Sequence, residues 1–121
     1  RIKMSSVTSL WNTPYINQKI TTIDFVNLRK QATDSRVMSV ALKHLMIDTI
    51  CLEHCEKLTD AAVIELSQLY GKALTYVNLS YCPLLTDAAI YSFDRCRQLR
   101  TLIVIGCDKI SEDSLRALEK S

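Results

Sequence analysis

The sequence predicts an α/β fold made of four repeated units, each with a short strand, a turn and a helix. The first observation is a pattern of apolar residues that returns at intervals of 27, 27 and 25 residues, with lead positions Ile20, Ile47, Leu74 and Leu99. The second is a hydroxyl residue followed by an acidic residue, which comes after each pattern. A fixed period of this length is typical of repeat architectures, in which each unit buries its apolar face against its neighbour.

Apolar residues alternate with other residues after each lead position. The next apolar positions are Ile23, Ile50, Val77 and Leu102, followed by Phe25, Leu52, Leu79 and Val104. Side chains of a strand point alternately to its two faces, so this period of two predicts a strand in each unit with its apolar side inward. We expect strands centred on residues 23–25, 50–52, 77–79 and 102–104. They should pair in parallel, because a helix joins each strand to the next.

Helices are expected to begin at the hydroxyl and acidic pairs, because a hydroxyl caps free backbone N–H groups and a carboxylate suits the positive helix end. The pairs are Thr59-Asp60, Thr86-Asp87, Ser111-Glu112 and, one residue late, Thr33-Asp34. Helical spacing then predicts inward faces formed by Val37, Val40 and Ala41, by Val63, Leu66 and Leu69, by Ile90 and Phe93, and by Leu115 and Leu118. Gly71 lies where a left-handed C-cap would end the second helix.

A unit of this shape and period indicates a leucine-rich repeat. The predicted architecture is therefore a short horseshoe solenoid of about four repeats, with a parallel sheet on the concave face and helices on the convex face. Residues 20–121 form the repeat domain. Residues 1–19, which include Trp11, Pro14 and Tyr15, are interpreted as an N-terminal cap on the first unit, since terminal repeats are atypical.

Composition agrees with one globular domain, because 121 residues of which 48% are hydrophobic can form a single core. No apolar run approaches 18 residues, so we expect no membrane span. The 15 basic and 13 acidic residues are interspersed and give a net charge of +2. Nucleic acid is not an expected partner, since its binding would need a clustered basic face.

The five cysteines favour packing over chemistry. Three share one repeat position, where a small buried side chain fits: Cys55, Cys82 and Cys107. A metal site formed by Cys51, His54 and Cys55 is the alternative, but no second ligand pair follows at a suitable spacing. An odd count of cysteines without a disulfide framework fits a reducing compartment. Cys51 should point to the open face of the sheet, where it is either an ordinary cysteine or a reactive thiol.

No catalytic constellation is visible, and we expect neither enzymatic activity nor a cofactor. His44 and His54 are interpreted as surface residues rather than general bases. Asp60 and Asp87 resemble a carboxylate pair, yet their positions at predicted helix starts explain them without chemistry. Gly71 and Gly106 stand alone and form no phosphate-binding loop.

The repeats resemble the cysteine-containing leucine-rich repeats of F-box substrate receptors over about 70 residues, in the runs LEHCEKLTDAAVIEL (52–66), LTYVNLSYCPLLTDAAIYSF (74–93) and LRTLIVIGCDKISEDSL (99–115). This resemblance implies, as an alternative, a cytoplasmic substrate-recognition module of a ubiquitin ligase. The adaptor-binding F-box segment is not visible in residues 1–45.

A narrower resemblance begins upstream, with ITTID at 20–24 and ATDSRVMSVALKHL at 32–45, before CLEHCEKLTDAAVIELSQL. These strings are similar to the family of mitochondrial ATP synthase subunit s, also called coupling factor B, and the distal membrane arm assembly protein of respiratory complex I. The resemblance implies a non-catalytic protein on the matrix side of the mitochondrial inner membrane. Its partner would be a large multi-subunit complex that it joins or helps to assemble.

The alternation also predicts which side chains face out on the concave side. They form three columns: Thr22, Thr49, Tyr76 and Thr101; Asp24, Cys51, Asn78 and Ile103; and Val26, Glu53, Ser80 and Ile105. Exposed apolar residues beside an aromatic residue are typical of protein contacts. We therefore expect partner binding by Asp24, Thr49, Cys51, Glu53, Tyr76, Asn78, Ser80, Thr101, Ile103 and Ile105. The other interpretation is that a further C-terminal unit or cap covers Ile103 and Ile105.

Overall fold

The computed structural model describes residues 21–44 and 46–121. The predicted cap at residues 1–19 and the first lead residue, Ile20, lie outside the described residues. Strands and helices alternate along the chain as β1 (Thr22–Asp24), α1 (Asp34–Ala41), β2 (Thr49–Cys51), α2 (Asp60–Tyr70), β3 (Tyr76–Asn78), α3 (Asp87–Ser92), β4 (Thr101–Ile103) and α4 (Glu112–Lys120). Two 3-10 helices lie at Val26–Gln31 and Phe93–Arg95. The fold is thus α/β.

The four strands form one parallel sheet in the order β1-β2-β3-β4. Equivalent residues of successive units pair directly, as Ile23 with Ile50, Ile50 with Val77 and Val77 with Leu102. The parallel pairing and the repeat alignment of the strands are therefore confirmed. Each strand is centred one residue earlier than predicted.

All four helices begin where the sequence predicts. The N-cap hydroxyl of each accepts a hydrogen bond from a backbone N–H of its own first turn, at 3.2 Å or 3.3 Å: Thr33 from Arg36, Thr59 from Ala61, Thr86 from Ala88 and Ser111 from Ser114. These bonds satisfy donors that the first turn of a helix leaves without a partner. The caps fix where each helix starts after its strand.

The core lies between the sheet and the helices. It contains the inward strand residues Ile23, Ile50 and Val77 together with helix residues such as Leu66 and Phe93. Leu79 is 1% exposed, at the centre of the third unit. The predicted faces of α1 and α3 are inward, but two others need correction. In α2 Leu69 is exposed, because the buried positions after Leu66 are Ser67 and Tyr70. In α4 the buried residue is Ser114, whereas Leu115 and Leu118 are half-buried.

The first unit departs from the others between its strand and its helix. Its extra residue is accommodated in the 3-10 helix Val26–Gln31, which is kinked at Leu28. Leu28 is 48% exposed and does not take the buried position that cysteines occupy in the later units.

The prediction for Gly71 was wrong. Its φ of −56° and ψ of −29° are right-handed, so no left-handed C-cap ends α2. A Cβ at this position would lie 2.6 Å from the carbonyl oxygen of Ser67 and 3.2 Å from Cγ of Arg95. Gly71 therefore serves close packing rather than a left-handed turn.

Candidate binding face

One face of the sheet turns away from the core, and we call it the outer sheet face. Its two columns of side chains are in direct register: Thr22, Thr49, Tyr76 and Thr101, and then Asp24, Cys51, Asn78 and Ile103. The face continues past the strands at Glu53, Ser80 and Ile105. The first two columns of the sequence prediction are therefore assembled across the four strands as expected.

Two residues predicted for display on this face are buried. Asn78 is 8% exposed and Ser80 is 2% exposed. The side-chain oxygen of Asn78 accepts a hydrogen bond from the Ser80 N–H at 3.1 Å, and the Ser80 hydroxyl accepts one from the Ile105 N–H at 3.1 Å. These polar side chains satisfy backbone donors of the turns after β3 and β4, which explains their burial.

The end of the face at β1 and β2 is acidic. Asp24 is exposed and Glu53 is half-buried. Burial of the Cys51 thiol, followed by the charges of Asp24 and Glu53, raises the pKa of Cys51. Its thiolate is thus disfavoured, which does not support the interpretation of Cys51 as a reactive thiol. Among residues 21–44 and 46–121, ion pairs join Arg116 to Glu112 and Asp113 only, so neither acidic residue of this end has a cationic partner there.

The end of the face at β3 and β4 is aromatic and apolar. Tyr76 and Ile103 are half-buried, whereas Ile105 is 61% exposed. Ile103 is thus less accessible than the sequence predicts. The outer sheet face changes from charged to apolar along the order of its strands.

Beside the outer sheet face, two aromatic rings from the turns of successive units stack on each other, which the sequence did not predict. His54 and Tyr81 occupy the same position in successive units, and each has a φ of 59°. Their rings stack with centroids 4.5 Å apart and planes 9° from parallel. The third equivalent, Gly106, has a φ of 73°, and a Cβ there would lie 2.4 Å from the Tyr81 ring. The shared repeat position was the only signal in the sequence.

Carboxylates also connect the units, a role that sequence reasoning missed. Asp34 accepts hydrogen bonds from the N–H and hydroxyl of Thr59, the cap of the next helix. Asp60 binds Thr86 in the same way. Asp87 accepts from the Ser111 N–H at 2.7 Å and the Ser111 hydroxyl at 2.8 Å. Thr59, Thr86 and Ser111 therefore each cap their own helix and bind the acidic residue at the start of the preceding helix.

The cysteines of the repeat position are buried, as predicted, and two of them bridge units. The Cys82 thiol donates to the Leu52 carbonyl at 3.0 Å, and the Cys107 thiol donates to the Leu79 carbonyl at 3.1 Å. Burial is the main factor that raises the pKa of Cys107. All five cysteines of the chain are free thiols. Cys82 and Cys107 thus pack in the core and donate hydrogen bonds between units, as small weakly polar side chains can.

The part of the chain that the structure describes contains no group of three or more potential metal ligands. Two of the residues considered above as metal ligands have separate roles. The Cys55 thiol is buried and donates to the Glu53 carbonyl at 3.7 Å. The His54 side chain is exposed, and its ring stacks on that of Tyr81. His44 follows α1 in a half-buried turn.

A groove of about 690 Å³ lies at the free edge of the sheet, beside β4 and α4. Its lining includes the apolar residues Leu102, Val104 and Leu118 and the basic residues Arg100 and Arg116. In the described sheet, β4 pairs with β3 alone, so this groove borders an unpaired strand edge.

The fold is that of an α/β protein with a four-stranded parallel sheet, one face of which is turned away from the core. No protein-family model matches the chain, and no curated protein matches it. None of the helices in residues 21–44 and 46–121 combines the length and the apolar character needed to cross a membrane.

Proposed function

We propose that this chain is a leucine-rich repeat protein that works as a non-catalytic interaction subunit. In this proposal it is an accessory or assembly component of an energy-transducing complex of the mitochondrial inner membrane, either ATP synthase or respiratory complex I. It would act on the matrix side, and the outer sheet face would be its docking surface.

The observation that carries the binding role is the composition of the outer sheet face. Tyr76 and Ile103 lie half-exposed on β3 and β4, and Ile105 is largely exposed beside them. Aromatic and branched apolar side chains of this kind are enriched where protein partners bind. A sheet that served only the fold would gain nothing from apolar residues in water.

The leucine-rich repeat assignment is supported by units of 27, 27 and 25 residues whose strands pair in register. Cross-unit bonds from Cys82 and Cys107 and the repeated caps add to it. The mitochondrial assignment rests on the resemblance of residues 20–24 and 32–45 described above.

The proposal is tested by affinity purification of the tagged protein from fractionated cells, with native gels to show which complex migrates with it. We expect ATP synthase or complex I subunits with the wild-type chain and their loss with Tyr76→Ala and Ile103→Asp. Lys72→Ala is the matched control, since Lys72 is exposed after α2 and away from the outer sheet face. Circular dichroism establishes that each variant is folded.

Two outcomes would contradict the proposal. Retention of the complex by both folded face variants would show that the outer sheet face is not the docking surface. Recovery of ubiquitin-ligase subunits in place of mitochondrial ones would favour the substrate-receptor alternative, for which the cysteine-containing repeats are equally suitable.

A further inference from the structure

The outer sheet face contains a buried amide whose donors have no partner among the described residues. Asn78 is 8% exposed, and its place in the register with Cys51 and Ile103 directs its side chain to this face. The Oδ1 atom of Asn78 accepts a hydrogen bond from the Ser80 N–H, so Nδ2 is the amide atom left to donate. No hydrogen bond from Nδ2 to residues 21–44 or 46–121 is present. A buried donor without a partner favours the binding of a ligand that brings a hydrogen-bond acceptor, because an unsatisfied buried polar group costs free energy.

The charges of the face predict the order of chemical groups along a ligand that binds across the strands. The acidic side chains of Asp24 and Glu53 lie at the β1 and β2 end without cationic partners in the described residues. Apolar Ile103 and Ile105 lie at the opposite end, with Asn78 between the two. A ligand that matched this order would carry a positive charge, then an acceptor, then an apolar group.

We propose that the outer sheet face binds an extended peptide segment that crosses the strands. In this inference a Lys or Arg side chain of the peptide lies against Asp24 and Glu53, a backbone carbonyl accepts from Asn78 Nδ2, and an apolar side chain packs on Ile103 and Ile105. The inference rests on the proposed docking role of this face and adds the chemistry of the segment that docks.

The strand spacing sets the spacing of the peptide residues. Neighbouring strands lie about 4.8 Å apart, so Asp24 on β1 and Ile103 on β4 are separated by three spacings, about 14 Å. An extended chain advances about 3.3 Å per residue, so the basic and apolar residues should be about four positions apart.

An array of seven-residue peptides tests this spacing directly. The probes are Gly-Lys-Ser-Ser-Ser-Leu-Gly and its reversed sequence, since the face does not fix chain direction. Peptides with adjacent Lys and Leu, and peptides with Glu in place of Lys, are the comparisons. We expect the four-residue spacing to retain about tenfold more protein at low salt, with the difference reduced at 0.5 M salt by screening.

Protein variants locate the binding. Asp24→Asn with Glu53→Gln should abolish the preference for Lys over Glu, whereas Glu65→Gln, a similar change at an exposed position of α2, should leave it intact. Asn78→Asp keeps the acceptor for the Ser80 N–H but removes the amide donors, so binding should fall about tenfold. If Asn78→Asp fails to fold, the variant with both Asp24→Asn and Glu53→Gln tests the inference by itself, because its two changes lie at accessible positions.

Equal binding at every spacing, or a Lys preference that survives in the double variant, would overturn the inference. These results separate it from the proposed function. If Tyr76→Ala and Ile103→Asp release a mitochondrial complex while the array shows no preference, the docking role stands and the peptide chemistry is wrong. If the array shows the preference while no mitochondrial complex is captured, the peptide chemistry of the face stands and the assignment to a mitochondrial complex is wrong.

Discussion

The carboxylate of Asp60 binds both the backbone N–H and the hydroxyl of Thr86, 26 residues further along the chain. Asp60 is the first residue of α2, and Thr86 is the N-cap of α3. The same relationship joins Asp34 to Thr59 and Asp87 to Ser111. The helix layer is thus held in register by a repeated hydrogen bond, just as the sheet is held by its strand pairing.

Asp60→Ala should therefore destabilise the protein by about 1.5–3 kcal/mol, because a charged acceptor is lost and two Thr86 donors are left without it. The midpoint of urea denaturation measures the change. Glu65→Ala, on an exposed position of the same helix, is the control and should stay within about 0.5 kcal/mol of wild type. Equal effects of the two changes would show that the bond between the helices contributes nothing.

Leu79→Ala should cost about 2–5 kcal/mol, because the side chain is buried in a unit with neighbours on both sides and its removal leaves a cavity. In a domain of this size the loss approaches the whole margin of stability. Chemical denaturation with wild type and variant in parallel tests it. Leu84→Ala provides the comparison, since Leu84 is 42% exposed. An unchanged midpoint for Leu79→Ala would contradict the assignment of this residue to the core.

Asp87 should make stability depend on acid pH. Hydrogen bonds from the N–H and then the hydroxyl of Ser111, with a further bond from Ser114, lower the pKa of Asp87 below its ordinary value. The folded state therefore favours the carboxylate, so the stabilisation is complete above the ordinary pKa and is lost as the pH falls through the lowered one.

Thermal denaturation from pH 7 to about pH 2 should show that wild type is more stable than Asp87→Asn near neutral pH and loses this extra stability below about pH 4. Asp94→Asn serves as the control, because the Asp94 carboxylate accepts no hydrogen bond from the described residues. A constant difference between wild type and Asp87→Asn over this range would show that Asp87 does not titrate in the predicted way.

Gly106→Ala should destabilise the protein for two separable reasons. The φ of 73° is unfavourable for alanine, at a cost of about 1–2 kcal/mol, and the new Cβ would meet the Tyr81 ring at 2.4 Å. Tyr81→Ala removes the ring, so Gly106→Ala in that background should retain only the backbone cost. A double-mutant cycle by urea denaturation measures the difference. Additive effects would exclude a contribution from the contact with Tyr81.

The sequence by itself determined the order of elements and the helix starts. Strand positions followed from period-two alternation around Ile23, Ile50, Val77 and Leu102, because a side-chain period of two belongs to a strand alone. Helix starts followed from local chemistry, since a cap residue such as Thr59 bonds within its own first turn. Parallel pairing followed from the helical connections.

The tertiary structure alone decided what each outward position does. Asn78 and Ser80 have the pattern of displayed residues, yet they are buried because they satisfy backbone donors of neighbouring turns. Asp60 was expected to stabilise only the start of its own helix, and the stacking of units shows that it also binds the cap residue of the next helix. The contacts of Ser80 with Ile105 and of Asp60 with Thr86 join residues about 25 positions apart, so their energies depend on how units pack and leave little trace in local sequence.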